Sequence, residues 1–260
     1  MLVALALGLA SCSSTPGHRS AVPAQAAHPL PAQTTRWHPI GTSVRGRTIE
    51  AVALGHGRCC ALIVGGIHGD EREPAPAVEA LRRHLAVFVP GVRVVLIRDL
   101  NPDGSDAHTR GNANGVDLNR NWPAVSFRPS PGHGPAPLSE PETRTLAAQI
   151  ERWSPDVIIV CHAAGDGPFV NFDGPAADLA ERFAQAARTT DRRWTVRPYM
   201  GYETPGSLGS CFGLDRGLPI LTIEFARGHE AELAKMALID GVCAVLEAVS
   251  RADGSAAGSP

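Results

Sequence analysis

Two histidine–glutamate pairs of identical spacing stand in the chain: His68 with Glu71 in "GGIHGDERE", and His229 with Glu232 in "RGHEAELAKM". An imidazole and a carboxylate three positions apart can both turn towards one cation. A second imidazole from elsewhere would complete the set of two histidines and one carboxylate that leaves zinc a fourth position for water. Spacing does not choose between the pairs, because ten histidines make a chance match common. Context does. His68 and Glu71 follow the apolar run "ALIV", whereas His229 and Glu232 open a stretch that reads as a helix, where acidic residues complement the dipole without any metal. Two further side chains of the right chemistry end apolar runs: His162 after "VIIVC", and Glu224 within "ILTIEF", where it could take a proton from a water.

These residues need a frame that brings strand ends together. The runs "TIEAVAL" (48–54), "ALIV" (61–64), "VRVVLI" (92–97), "VIIV" (157–160) and "ILTIEF" (220–225) are mostly apolar throughout, as in strands buried on both faces. Helical patterns occupy 74–86, 139–153, 175–188 and 229–250, and Ser139 with Glu142 has the spacing of a capping box. Alternating strands and helices predict an α/β fold with helices on both faces of a central sheet. In such sheets ligands bind outside the carboxyl ends of the strands, which is where His68, Glu71, His162 and Glu224 fall. The glycines beside His68 suit a tight turn that lets this ligand-bearing backbone approach an ion. The long stretch 99–138 is read as a loop, which at that length is either functional or disordered.

With 260 residues, 43% of them hydrophobic, the chain can bury one good core, and a formal charge of -2 without basic runs argues against nucleic acid as a partner. The first residues, "MLVALALGLASC", give an apolar run too short to span a bilayer but suited to a signal segment. It ends in "LASC", which resembles the bacterial lipobox. Cys12 is therefore the expected lipidation site, and the chain an exported, membrane-anchored lipoprotein at the periplasmic face; the alternative is a secreted soluble protein. The expected organisation is a signal peptide over 1–12, a flexible Ser/Pro/Ala tether over 13–35, one catalytic domain over 36–250 and a disordered tail over 251–260. The remaining cysteines, Cys59, Cys60, Cys161, Cys211 and Cys243, are odd in number and lack zinc-ribbon spacing, so no disulfide framework is indicated.

The segments "HGDE", "NPDG", "GVDLNRNW", "SEPET" and "TIEF" occur in the order found in zinc carboxypeptidases of the carboxypeptidase A type, and the chain resembles that family over about residues 37–250. The resemblance implies a mixed, mostly parallel central sheet and one zinc ion per chain held by His68, Glu71 and His162. Glu224 would be the general base and proton carrier to the leaving amine, and Arg110 would polarise the scissile carbonyl. Asn119 and Arg120 would grip the free carboxylate of a peptide substrate, and Tyr202 would contact the substrate. Asp117 is read as a brace of the loop by local hydrogen bonds.

Within the family, "GYETPGSLGS" and "NFDGPA" resemble members that cut the γ-D-glutamyl–diaminopimelate amide of peptidoglycan peptides. In that setting Asp173 either recognises an amino group of the leaving residue or serves an Asp-Gly-Pro turn. The alternatives are a general metallocarboxypeptidase, an aspartoacylase-like deacylase, or a non-catalytic module that captures cell-wall peptides. Ala164, two positions after His162, stands where those members often carry proline, and export departs from their usual place in the cytoplasm.

Overall fold

The computed structural model describes residues 34–88, 91–228 and 231–256; the expected signal peptide with Cys12, the tether up to residue 33, and His229 lie outside them. Eight strands form one sheet: β1 (His38–Thr42), β2 (Thr48–Leu54), β3 (Cys60–Val64), β4 (Arg93–Ile97), β5 (Val157–Ala164), β6 (Phe169–Asp173), β7 (Thr195–Arg197) and β8 (Ile220–Ala226). Their order is β1-β2-β4-β3-β5-β8-β6-β7. The centre, β4-β3-β5-β8, is parallel, while β1, β2 and β6 join antiparallel to their neighbours and β7 pairs parallel with β6. This is the mixed, mostly parallel α/β sheet expected.

The apolar runs are continuous because both faces are covered. Along β3, Ala61 and Ile63 join one core while Cys60, Leu62 and Val64 join the other, the period of two that a strand imposes. The first core is closed by α1 (Pro74–Val87), α4 (Ala177–Ala187) and α5 (Ala231–Ala256). The second is closed by α3 (Pro141–Trp153) and by the segment that follows β4.

Sequence and structure part in several places. The central strand β5 continues through Ala164, so His162 lies inside a strand rather than after one. Helix α5 continues through Ala256, into the stretch read as a disordered tail. The capping box at Ser139 does not form. The N-cap of α3 is Glu140, Ser139 Oγ donates to Glu140 Oε1, and Glu142 turns inward to accept from Val44 N and Asn112 Nδ2.

Nor is 99–138 structureless. It holds α2 (Pro102–Ala107), with Asn101 as its side-chain cap, and a 3-10 turn (Leu118–Arg120) capped by Asp117. The buried asparagines Asn101, Asn112 and Asn121 hydrogen-bond the backbone along it, Asn121 Nδ2 donating to both His133 O and Ala136 O. Buried amides that satisfy backbone groups make an irregular segment rigid without a helical or strand ladder. Among the described residues no disulfide joins the five cysteines.

Candidate metal centre

Two strands and one turn deliver the site. His68 and Glu71 lie in the turn after β3, His162 is on β5, and Glu224 faces it from β8, where the two are register partners. All four are buried. Glycine lets the turn seat: a Cβ on Gly69 would run into the backbone of Gly104 and Ser105 in α2, and Gly66 has φ of +64° against Asp99. The glycines beside His68 therefore fit the "HGDE" turn onto the "NPDG" segment.

The donor atoms of His68, Glu71 and His162 all lie within 4.8 Å of one another, the one such cluster among the described residues. His68 Nδ1 is 2.9 Å from Glu71 Oε1, and His162 Nδ1 is 3.1 Å from both Glu71 Oε2 and His68 Nδ1. Two imidazole nitrogens facing each other at that distance need a proton or a cation between them. On its far side, His68 Nε2 lies 2.9 Å from Asp117 Oδ1, which favours the tautomer that leaves the Nδ1 lone pair free for a ligand bond. The donor set thus fits zinc.

Electrostatics follow from the crowding. Burial works against charge on Glu71, but the imidazoles of His162 and His68 outweigh it and hold the carboxyl well below its ordinary range. Burial likewise opposes charge on His68, and the Asp117 and Glu71 carboxylates overcome it, so its pKa rises. Burial pushes the Glu224 carboxyl up to about 7; His162 pulls it back and Glu71 adds to the rise. A carboxyl with that pKa can both accept and release a proton near neutrality.

One cavity of about 260 Å³ is lined by the metal-ligand candidates and by Glu224, Arg110, Asn119, Arg120 and Tyr202. Arg110 donates from Nε to Asp117 Oδ2 at 2.9 Å and sets its NH1 3.7 Å from Glu71 Oε1. Asn119 is oriented by accepting from Leu208 N at 3.0 Å, and its Nδ2 lies 3.4 Å from His162 Nε2. Tyr202 is half exposed at the rim. Glu232, partner of the unrelated His229 pair, sits in the first turn of α5 bonded to Lys235, remote from this chemistry.

Two contacts were not legible beforehand. Asp117 braces its loop through Asn119 N, as expected, yet it also reaches His68 across 49 residues of sequence. Arg227 pairs with Asp70 and lies 3.6 Å from Glu71 Oε1. A carboxylate beside "LNRN" and an arginine three positions after Glu224 were the only signals.

The family model described as "Zinc carboxypeptidase" matches residues 25–205. Murein peptide amidase A of Escherichia coli (strain K12) is 33% identical over 210 residues, covering 72% of this chain and 82% of that protein. The crystal structure of a murein-tripeptide amidase from Escherichia coli O157 superposes with a TM-score of 0.65 at 27% identity, covering 85% of this chain and 93% of that one. Carboxypeptidase A from Helicoverpa armigera shares the fold, with a TM-score of 0.72 at 17% identity over 84% of this chain and 69% of its own.

Proposed function

The chain belongs to the zinc carboxypeptidase family and is a metallopeptidase; from that premise we propose that it cuts the amide between γ-D-glutamate and diaminopimelate in peptidoglycan-derived peptides. The substrate class is suggested by the likeness to murein peptide amidase A. What supports the reading in the chain itself is one observation: the His68–Glu71–His162 cluster shares a cavity with a carboxyl of pKa about 7 and with arginines that include Arg110 and Arg120.

In this reading His68, Glu71 and His162 hold zinc, which when bound supplies a Lewis acid for a carbonyl and for water. Glu224 takes a proton from the attacking water and returns it to the leaving nitrogen. Arg110, fixed by Asp117, donates hydrogen bonds to the oxygen that gains charge as the carbonyl becomes tetrahedral. Asn119 and Arg120 hold the free carboxylate of the leaving residue, a guanidinium offering two parallel donors to two oxygens. Tyr202 contacts the substrate from the rim. We also read Cys12 as the lipid attachment site of an exported enzyme, on the strength of "LASC".

The test is mass spectrometry of L-Ala-γ-D-Glu-diaminopimelate incubated with zinc-loaded protein, with Glu224→Gln alongside. Release of diaminopimelate by the wild type alone is the expected result. No release, with turnover of ordinary peptides or N-acyl amino acids, would move the protein to a general carboxypeptidase or a deacylase. Tight peptide binding without any turnover would make it a capture module.

A further inference from the structure

Four arginines line the cavity beside the metal-ligand candidates: Arg110, Arg120, Arg197 and Arg227. The peptidase reading employs the first two. Arg197 is committed elsewhere, because its NH1 meets Asp166 Oδ2 at 2.5 Å, its NH2 meets Asp166 O at 3.1 Å, and its guanidinium lies 3.9 Å from the centre of the Phe169 ring. Arg227 is held more loosely. Its backbone N–H donates to Ala164 O and carries the pairing of β5 and β8 one residue further. Its half-exposed side chain runs along the metal cluster: NH1 donates to Asp70 Oδ2 at 3.2 Å, and NH2 donates to Ala163 O at 3.3 Å and stands 3.6 Å from Glu71 Oε1.

Those two hydrogen bonds leave the head group unsaturated. A guanidinium has five N–H groups, and among the described residues Asp70 and Ala163 O are the acceptors that Arg227 meets. Asp70 offers it one oxygen, while the other, Oδ1, has no hydrogen-bond partner. The pair is therefore not the two-pronged contact that a carboxylate and a guanidinium make when they serve each other alone. Ala163 and Ala164, small side chains, line the cavity beside it and leave the head group open to a ligand.

A γ-linked glutamyl residue brings a group that most acyl residues lack. Its α-carboxylate stays free, four bonds from the scissile carbonyl carbon and roughly 5 Å from it when extended. The acyl side of the substrate thus carries an anion of its own, separate from the carboxylate of the leaving residue. Arg110, the donor to the scissile carbonyl, has NH1 3.7 Å from Glu71 Oε1, the same oxygen that Arg227 approaches. A carbonyl served by Arg110 places that anion within reach of Arg227. We propose that Arg227 binds the free carboxylate of the acyl residue, which makes the enzyme select acyl residues with an anion at that distance. The assignment rests on the peptidase reading and names the residue that sets its acyl preference. Amidation of that carboxylate then protects a peptide from this enzyme.

The experiment uses the full-length chain and two peptides, γ-D-glutamyl-diaminopimelate and its analogue with the glutamyl α-carboxylate amidated, which keeps the shape and removes the charge. Zinc-loaded wild type is expected to favour the first by about 10- to 100-fold in kcat/KM, and Arg227→Gln to cut both at the rate of the second. Arg227→Lys, which keeps the charge without the fork, should restore part of the preference. Calorimetry of both peptides on zinc-free wild type and variants reads the same difference without turnover, and equal melting temperatures exclude misfolding. Amidation that costs the wild type nothing in either assay, or costs Arg227→Gln as much as the wild type, overturns the assignment. So does an equal loss on both peptides in Arg227→Gln, which marks Arg227 as a brace for Asp70 and the metal cluster. Carboxylate-dependent binding through Arg227 without turnover of either peptide would sink the peptidase reading and leave Arg227 in its role, whereas equal turnover of both would do the reverse.

Discussion

His68 Nε2 and Asp117 Oδ1 stand 2.9 Å apart, on the opposite side of the imidazole from Glu71 and His162. Asp117 therefore sets which nitrogen of His68 carries the proton, and its other oxygen receives Arg110. One carboxylate ties the metal cluster to the arginine of the cavity. Asp117→Asn keeps the shape and removes the charge, so zinc affinity should fall by about 10- to 100-fold, as for other carboxylate partners of metal-bound histidine. Chelator competition at pH 7.5 measures it, and an unchanged dissociation constant would leave Asp117 as a loop brace alone.

Glu224 carries opposite consequences for stability and for catalysis. Its carboxyl is raised from 4.5 to about 7 by burial, so the folded chain keeps a proton there that the unfolded chain releases. Stability falls as pH rises from about 4.5 through about 7. In zinc-free protein at pH 8, Glu224→Gln should gain about 3 kcal/mol, and at pH 5 no more than about 1 kcal/mol. The same variant, loaded with zinc, should lose turnover. Because a bound cation pulls the carboxyl down again, the acid limb of kcat/KM should lie at or below about 7. Thermal melts at the two pH values and a pH–rate profile check both halves.

Arg120 and Arg110 should separate kinetically. Arg120 is read as gripping a carboxylate that does not react, so Arg120→Ala should act chiefly through KM, and a substrate whose terminal carboxylate is amidated should be cut equally by wild type and variant. Arg110 meets charge that exists only in the transition state, so Arg110→Ala should cost about 10² to 10³ in kcat. Both effects appearing in KM would refute this division.

How far the sequence could be read follows from the range of each interaction. His68, Glu71, His162 and Glu224 were legible because each sits in or directly after an apolar run long enough to mark a central strand. Strands β6 and β7 were not: "FVNFD" interrupts its apolar pattern with Asn171 to build a pocket wall, and "TVR" is a three-residue edge. Helix α2 escaped because "PDGSDA" has no apolar period and rests on a proline start and an asparagine cap. The space that Asp173 occupies depends on Gly209 and Gly213, which no local window contains.

The misread capping box carries the last prediction. Asn112 donates its side-chain amide to Glu140 Oε2 at 2.7 Å and to Glu142 Oε2 at 3.0 Å, and all three residues are buried. Burial pushes the Glu142 carboxyl up, and neighbouring Glu140 adds to it. The amide is what lets two acidic side chains share one interior site, because without it their lone pairs face each other. Asn112→Ala should therefore destabilise by about 2–3 kcal/mol, and adding Glu142→Gln should recover part of the loss by supplying a donor. The same network anchors the segment that presents Asn119 and Arg120, so KM should rise in Asn112→Ala and fall back in the double variant. Denaturant melts and Michaelis kinetics on both proteins test this, and a double variant no more stable than Asn112→Ala would show that repulsion between the carboxylates is not the cause.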